Sequence, residues 1–184
     1  MNIKRIMPVI LIMILVLTGC GKSDNETKDN SQVTQENHGW VEEETVEHLV
    51  AKFNTEVVDN SSLNPASTDY LTESNNEYWY GLIEGIYLVA VPEKYTGDKA
   101  ADVVKYTLLY VNKTGEYELD AISYAKHLIK ANNNQITDSE IDTLLKEAKA
   151  KPNSGDAANN GKGISVGYTE NEEKYQYQVL RLYK

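Results

Sequence analysis

Apolar residues recur at helical spacing in the stretch between residues 40 and 59, WVEEETVEHLVAKFNTEVVD. They lie three or four positions apart, which places them on one face of a helix. Three glutamates lie near the start of the stretch, where acidic groups complement the helix dipole. We therefore predict an amphipathic helix over residues 40–59. Its predicted buried stripe consists of Val46, Leu49, Val50, Phe53 and Val57.

Two more helices are predicted in the centre of the chain. The first follows from apolar residues at helical spacing between positions 119 and 129. The second begins at Thr137, where TDSE forms a capping box: the Thr137 hydroxyl and the Glu140 carboxylate satisfy each other's backbone amides. The predicted buried residues are Leu119, Ile122, Ala125, Leu128 and Ile129 in the first helix, and Ile141, Leu144, Leu145 and Ala148 in the second.

Residues 78–91, YWYGLIEGIYLVAV, are apolar at both parities and rich in β-branched and aromatic side chains. Such a run indicates a central strand, or two strands bent at a glycine, covered on both faces. The other predicted strands are 70–72, 103–111, 164–169 and 175–183, of which the last two form a hairpin after a loop at 152–163. The resulting order, α-β-β-β-α-α-β-β, predicts an α+β fold. Its sheet is mostly antiparallel, with about five strands, and the N-terminal helix and the central helix pair pack on it.

The first nineteen residues have a different pattern. Lys4 and Arg5 precede twelve uncharged residues, 6–17, interrupted only by Pro8. As a helix this run would be about 18 Å long, too short for a hydrocarbon core of roughly 30 Å. A positive start and a short apolar run predict a secretory signal peptide over residues 1–19. Because the positive residues stay in the cytoplasm, the chain that follows is expected to be exported.

Leu17, Thr18, Gly19 and Cys20 follow the apolar run directly, and Cys20 is the only cysteine of the chain. This motif resembles the lipobox of bacterial lipoproteins. The resemblance implies that the signal peptidase recognises Leu17, Thr18 and Gly19, that the chain is cut before Cys20, and that the Cys20 thiol carries a diacylglycerol. Two acyl chains anchor a protein stably, whereas one binds only marginally. The alternative is a free or buried cysteine beside an ordinary signal peptide.

Residues 20–39 are predicted to be the lipidated cysteine and a disordered tether. Val33 is the only aliphatic residue between Gly21 and Gly39, so the segment cannot bury enough apolar surface to offset its ordering entropy. As a flexible chain it would reach roughly 25 Å. A single α+β domain over residues 40–184 follows. The location expected from this organisation is the extracytoplasmic face of the cell membrane, with the covalent lipid on Cys20 as the attachment.

The chain has 28 acidic and 18 basic residues, a formal net charge of −10. Nucleic-acid binding requires clustered lysine and arginine, which this sequence lacks, so we expect no nucleic-acid partner. An acidic protein is also repelled by anionic lipid headgroups, which makes the lipid on Cys20 the expected membrane attachment.

Residues 132–140, NNNQITDSE, resemble the end of an EF-hand loop, which would bind calcium. With Glu140 at position 12 of that loop, Ile136 fits position 8. However, Ile129 and Ala131 then occupy positions 1 and 3, where oxygen ligands are required. The capping box at Thr137 explains the same residues, so we predict no calcium site.

The three histidines, His38, His48 and His127, have no second histidine or cysteine at the spacing of a zinc site. We therefore expect no metal and no cofactor. His48 lies four residues after Glu44, and we interpret this pair as solvated surface charge.

Tyr78, Trp79, Tyr80 and Tyr87 form an aromatic group with two possible roles. It is either a stacking platform for a sugar or peptide, or cross-strand and core packing, and we favour packing. The chain has thirteen tyrosines and one phenylalanine, so tyrosine is expected to fill phenylalanine positions, with its hydroxyl at the rim of the core.

Glu84 lies in GLIEG, with Leu82 and Ile86 on its own face. Either Gly85 marks a bulge that turns Glu84 outward, or the carboxylate is partly buried in a cleft and is a site candidate. Glu84, Trp79 and Tyr80 are therefore the candidate ligand-binding residues. No catalytic residue is assigned.

These features predict a non-enzymatic envelope lipoprotein that binds a protein, a peptide or a wall component. By order of elements the domain also resembles small uncharacterised lipoproteins of Gram-positive bacteria, a resemblance that implies no activity and no site residue. One alternative is a hydrolase of wall glycan or peptide that uses a carboxylate pair. Another is a solute-binding lipoprotein of a transporter, although such proteins have two lobes.

Overall fold

The computed structural model describes residues 41–67, 72–74, 76–113, 117–159 and 161–182, with the backbone alone at 72–74. These residues contain three helices and seven strands. The helices are α1 (Val46–Asn60), α2 (Glu118–Asn132) and α3 (Asp138–Lys149). The strands are β1 (Thr72–Ser74), β2 (Glu77–Ile83), β3 (Ile86–Pro92), β4 (Val104–Asn112), β5 (Ala158–Asn159), β6 (Ile164–Glu170) and β7 (Lys174–Arg181).

The strands form one antiparallel sheet in the order β1-β2-β3-β4-β7-β6-β5. Five of them have seven or more residues, whereas β1 and β5, at the two edges, have three and two. The predicted α+β fold with an antiparallel sheet and three helices is confirmed. The sequence analysis missed β5, which lies inside the predicted loop 152–163, because two residues carry no periodicity.

The three helices pack on one side of the sheet, which we call the inner face. Every second side chain of a strand points to the inner face, and these side chains form one hydrophobic core with the helices. All five predicted residues of the α1 stripe and all four of the α3 stripe are buried. Large inner-face residues that belong to this core are Tyr78, Tyr80, Leu88, Leu109, Tyr177 and Val179.

Helix α1 begins six residues later than predicted. Thr45 is the N-cap and accepts a hydrogen bond from the His48 amide. The preceding residues are extended and bonded to the sheet: the Val104 amide donates to the Glu44 carbonyl at 2.8 Å, and the Val41 amide donates to the Leu182 carbonyl at 3.0 Å. The glutamates at 42–44 therefore precede the helix.

In α2 the buried stripe differs from the prediction. Leu119 is 82 % exposed and Ile122 is only half-buried, whereas Ala121 and Tyr124 are fully buried. The stripe that faces the core runs through Ala121, Tyr124, Ala125, Leu128 and Ile129. Leu119 precedes Ala121 by two positions and so lies about 200° round the helix.

The apolar run 78–91 forms two strands, β2 and β3, joined by a turn at Glu84 and Gly85. Gly85 has φ +81°, a conformation that L side chains rarely adopt. The register shifts between Gly81 and Ile83, which makes Leu82 the extra residue of the hairpin. The predicted bulge at Gly85 is therefore wrong: the irregularity precedes the turn.

The predicted capping box is confirmed at the start of α3, and it gives a first testable prediction. The Glu140 carboxylate accepts from the Thr137 amide at 2.8 Å, and the Thr137 hydroxyl accepts from the Glu140 amide. We expect Thr137→Ala to lower the free energy of unfolding by about 1 kcal/mol in urea denaturation. The control is Thr143→Ala, which removes an exposed hydroxyl from the middle of the same helix. Equal losses from the two variants would contradict the capping role.

Candidate functional site

The side of the sheet opposite the helices, the outer face, carries apolar side chains that do not belong to the core. Trp79 and its alternating neighbours on β3, β4 and β7 point to this side, because side chains alternate along a strand. Val89 is completely buried without being a member of the core cluster. The others are half-buried. The apolar residues of the outer face are Trp79, Tyr87, Val89, Val91, Tyr106, Leu108, Tyr110 and Leu180.

Three aromatic rings form a cluster on the outer face. The ring centroid of Trp79 lies 6.0 Å from Tyr87 and 5.4 Å from Tyr110, and those of Tyr87 and Tyr110 are 6.2 Å apart. Their planes are inclined at 60° to 64°, an edge-to-face arrangement that aromatic pairs prefer. Lys174 Nζ lies 4.9 Å from the Tyr110 centroid, at one border of the cluster.

Glu77 fixes the orientation of the indole ring. Trp79 Nε1 donates a hydrogen bond of 3.0 Å to a Glu77 carboxylate oxygen. The same carboxylate acts on Tyr106: burial of the Tyr106 hydroxyl and the negative charge of Glu77 together raise the pKa of that tyrosine. Both effects favour a neutral phenol, so Tyr106 presents an uncharged ring and hydroxyl to the outer face at physiological pH.

On β7 and β6 the outer face carries uncharged polar side chains between Lys174 at one end of β7 and Leu180 near the other. Tyr110 is paired with Gln176 and Gln176 with Thr169; Leu108 is paired with Gln178 and Gln178 with Gly167. Among the described residues at the alternating outer-face positions of β2, β3, β4, β7 and β6, Glu77 and the bordering Lys174 are the charged ones. The solvated face of an antiparallel sheet is ordinarily polar, and this chain is 25 % charged. The outer face is therefore less charged and more apolar than the solvated face of an antiparallel sheet ordinarily is.

The structure divides the predicted aromatic group between the two faces. Trp79 and Tyr87 lie on the outer face, whereas Tyr78 and Tyr80 lie in the core with 0 % and 1 % exposure. The prediction that Tyr80 binds a ligand is therefore wrong, because its side chain is enclosed between the sheet and the helices. Sequence reasoning missed Tyr110, which only the pairing of β3 with β4 brings next to Tyr87.

Glu84 is exposed at the turn between β2 and β3. The alternative in which the Glu84 carboxylate is partly buried in a cleft is therefore wrong, and the alternative in which it points outward is correct. Because its carboxylate is exposed and not in a cleft, Glu84 loses the argument that made it a candidate ligand-binding residue. Trp79 is the one of the three candidates that lies on the outer face.

Glu44 is buried, so the interpretation of the Glu44–His48 pair as solvated surface charge is wrong. The Glu44 carboxylate contacts His48 Nδ1 and forms an ion pair with Lys52 at 2.7 Å. Arg181 lies 3.7 Å away. The Arg181 side chain is 1 % exposed and donates to the Asn132 side-chain oxygen at 2.9 Å and to the Glu42 carbonyl at 2.8 Å. This charge cluster, in which Glu44 and Arg181 are buried, joins the residues before α1 to β7 and to the end of α2.

Concave sites are small in the described part of the chain. One shallow depression, of about 250 Å³, lies between α1 and the end of α2, beside Lys52 and Lys130. Another, of about 200 Å³, lies on α3 beside Glu140 and Glu147. No group of three metal-binding side chains occurs among the described residues, and none of the described helices is long and apolar enough to cross a membrane. Leu17, Thr18, Gly19, Cys20 and His38 lie outside the described residues.

A scan against protein-family models and searches of curated proteins and of solved structures returned no match for this chain. The interpretation of its surfaces therefore depends on their own chemistry.

Proposed function

We propose that this protein is a lipid-anchored binding module of the cell envelope, held at the extracytoplasmic face of the membrane by a diacylated Cys20, and that its outer face is the binding surface. The observation that carries the binding function is the aromatic cluster of Trp79, Tyr87 and Tyr110. A contiguous apolar patch rimmed by polar residues marks an interaction site in a soluble domain. The location follows from the lipobox-like motif at residues 17–20.

The described contacts favour binding over catalysis. Hydrolysis of a glycan needs two carboxylates that face each other across a bound substrate. The acidic side chains that the structure holds most firmly are bonded to this chain's own donors: Glu44 to Lys52, Asp102 to Thr96, and Glu140 to Lys162. These three carboxylates lie on different elements and serve the fold. We therefore propose a non-enzymatic role.

The anchor is tested in cells that express the full chain and are fed a labelled fatty acid. We expect the wild-type protein to take up the label and to sediment with membranes, because two acyl chains anchor stably. Cys20→Ser is expected to lose the label completely and to retain the leader. Lys22→Ala is the matched control, since it alters a neighbouring residue outside the motif, and it should be labelled like the wild type. Membrane sedimentation of a normally processed Cys20→Ser protein would refute the lipid anchor.

A further inference from the structure

We propose that the outer face binds an uncharged glycan strand, whose sugar C–H faces lie against the aromatic cluster and whose hydroxyl or acetamido groups bond to Gln176 and Gln178. This inference rests on the binding function proposed above and specifies the chemical class of the ligand.

The centre of the outer face is uncharged, although the protein is acidic. The protein has a net charge of −10, yet the centre of the outer face carries none: Glu77 is bonded to the Trp79 indole, and Lys174 lies over the Tyr110 ring at the border. A surface that recognises an ionic ligand places an opposite charge at its centre, because complementary charge steers and orients the partner. A neutral centre within an acidic protein favours a neutral ligand.

The outer face is divided into a half with aromatic side chains and a half with amide side chains. Ligand sites are mostly apolar, with a few polar groups that fix orientation. Gln176 and Gln178 each carry a donor and an acceptor, as do sugar hydroxyls and acetamido groups. Both glutamines directly follow the aromatic half in the pairing register, next to Tyr110 and Leu108. A sugar offers the same two surfaces, an apolar C–H face and a polar rim.

The outer face extends across five neighbouring strands, from β2 to β6. Neighbouring strands lie about 4.8 Å apart, so the distance from β2 to β6 along one row of the outer face is roughly 19 Å. That row begins at Trp79, passes over the completely buried Val89, crosses Leu108 and Gln178, and ends at Gly167. Gly167, the last residue of the row, carries no side chain. The surface therefore suits an extended chain rather than a single small molecule.

A second copy of the protein suits the outer face less well. Face-to-face packing of two sheets would bury Gln176 and Gln178 of both copies, and buried amides without hydrogen-bond partners are costly. Each copy would also bring a net charge of −10 towards the other. A glycan satisfies the amides and adds no charge.

The test titrates the full chain, purified in a polyoxyethylene detergent that contains no sugar, with three probes. These are the β-1,4-linked tetramers of N-acetylglucosamine and of glucose, and tetragalacturonic acid as the charged comparison. Calorimetry measures the dissociation constant. Because Trp40 also fluoresces, contact at the cluster is reported by the change in fluorescence that Trp79→Ala abolishes. We expect at least one neutral tetramer to bind more tightly than the acidic one. Trp79→Ala should weaken that binding about tenfold, and Gln178→Leu about fivefold. Leu119→Ala, which alters an exposed apolar residue on α2, should bind like the wild type.

Three results would overturn the proposal. One is that no neutral tetramer binds. Another is that the acidic tetramer binds as tightly as the neutral ones. The third is a concentration-dependent dimer, seen by sedimentation, that Trp79→Ala dissociates, which would assign the outer face to a second copy. A photo-crosslinker at Tyr87 that captures a protein in cells, without glycan binding in vitro, would remove the glycan and leave the proposed binding function standing. Circular dichroism spectra and cooperative urea transitions like those of the wild type verify that the variants are folded.

Discussion

Arg181→Met is expected to lower the free energy of unfolding by about 3–5 kcal/mol, because it removes one member of a buried charge cluster. The Arg181 side chain is 1 % exposed and lies 3.7 Å from Glu44, whose side chain is 7 % exposed. Without the guanidinium, the Asn132 side-chain oxygen and the Glu42 carbonyl lose a charged donor. Glu44 then keeps Lys52 as its cationic neighbour.

Urea denaturation at neutral pH measures the effect. The matched control is Lys105→Met, which removes an exposed cation from β4, and a change below 0.5 kcal/mol is expected for it. The double variant Glu44→Gln with Arg181→Met should lose less than the sum of the single variants, since residues of one charge network are coupled. A loss below 1 kcal/mol for Arg181→Met would mean that the cluster does not hold the segment before α1 to the sheet.

The position of this cluster connects stability to the proposed function. Residues 41–44 lie between the predicted tether and α1, and their backbone pairs with Leu182 and with Val104. Arg181 holds the Glu42 carbonyl and thereby fixes the same segment to the end of β7. In a lipid-anchored protein, any pull on the tether acts on the domain through these residues. The buried arginine is therefore placed where an anchored domain needs a firm attachment.

The sequence predicted the helices and long strands because each depends on a pattern within one segment. The stripe from Val46 to Val57 and the capping box at Thr137 and Glu140 are local signals, and both are present in the structure. Leu119 shows the limit of the same reasoning. Its spacing fits the helical period, but which side of α2 meets the core is decided by the whole buried stripe, and that stripe passes through Tyr124.

The outer face could not be predicted, because it depends on register between strands that are distant in sequence. Tyr87 and Tyr110 become neighbours only through the pairing of β3 with β4, and Gln176 joins them only through the pairing of β4 with β7. Alternation along residues 78–80 would have separated Trp79 from Tyr78 and Tyr80. The apolar run on both parities concealed that alternation, since here both faces of the sheet carry apolar residues.

Tyrosine does fill positions in the core, although the hydroxyls of Tyr78 and Tyr124 are not at the rim of the core, where they were predicted. Tyr78 and Tyr124 are both 0 % exposed. Tyr124 donates to the Asn64 carbonyl at 2.9 Å and so binds α2 to the segment after α1. Tyr78 donates to the Asp102 carboxylate at 2.7 Å. In both cases the hydroxyl reaches an acceptor on a non-helical segment, which a phenylalanine at the same place could not do.

Asp102→Ala is expected to lower the free energy of unfolding by about 3 kcal/mol at pH 7, because the buried carboxylate accepts several hydrogen bonds. Asp102 is 2 % exposed, and it accepts from the Thr96 amide at 2.9 Å and from the Tyr78 hydroxyl at 2.7 Å. Its backbone carbonyl also accepts from the Val46 amide, the first of α1. Glu93→Ala is the control, since it removes an exposed carboxylate from the same loop.

The pH dependence of this loss distinguishes the contribution of the charged carboxylate from the contribution of side-chain packing. Burial alone would raise the pKa of Asp102, but the hydrogen bonds from Thr96 and Tyr78 outweigh it and hold the pKa below the ordinary value of 3.8. A lowered pKa in the folded state stabilises the protein above pH 3.8, and this contribution is lost as the pH falls through the folded-state pKa. The difference between wild type and Asp102→Ala should therefore be constant from pH 7 to pH 5 and should shrink below pH 3.8. Urea midpoints measured across this range test it, and a difference that stays constant down to pH 2 would show that packing, not the charge, accounts for the loss.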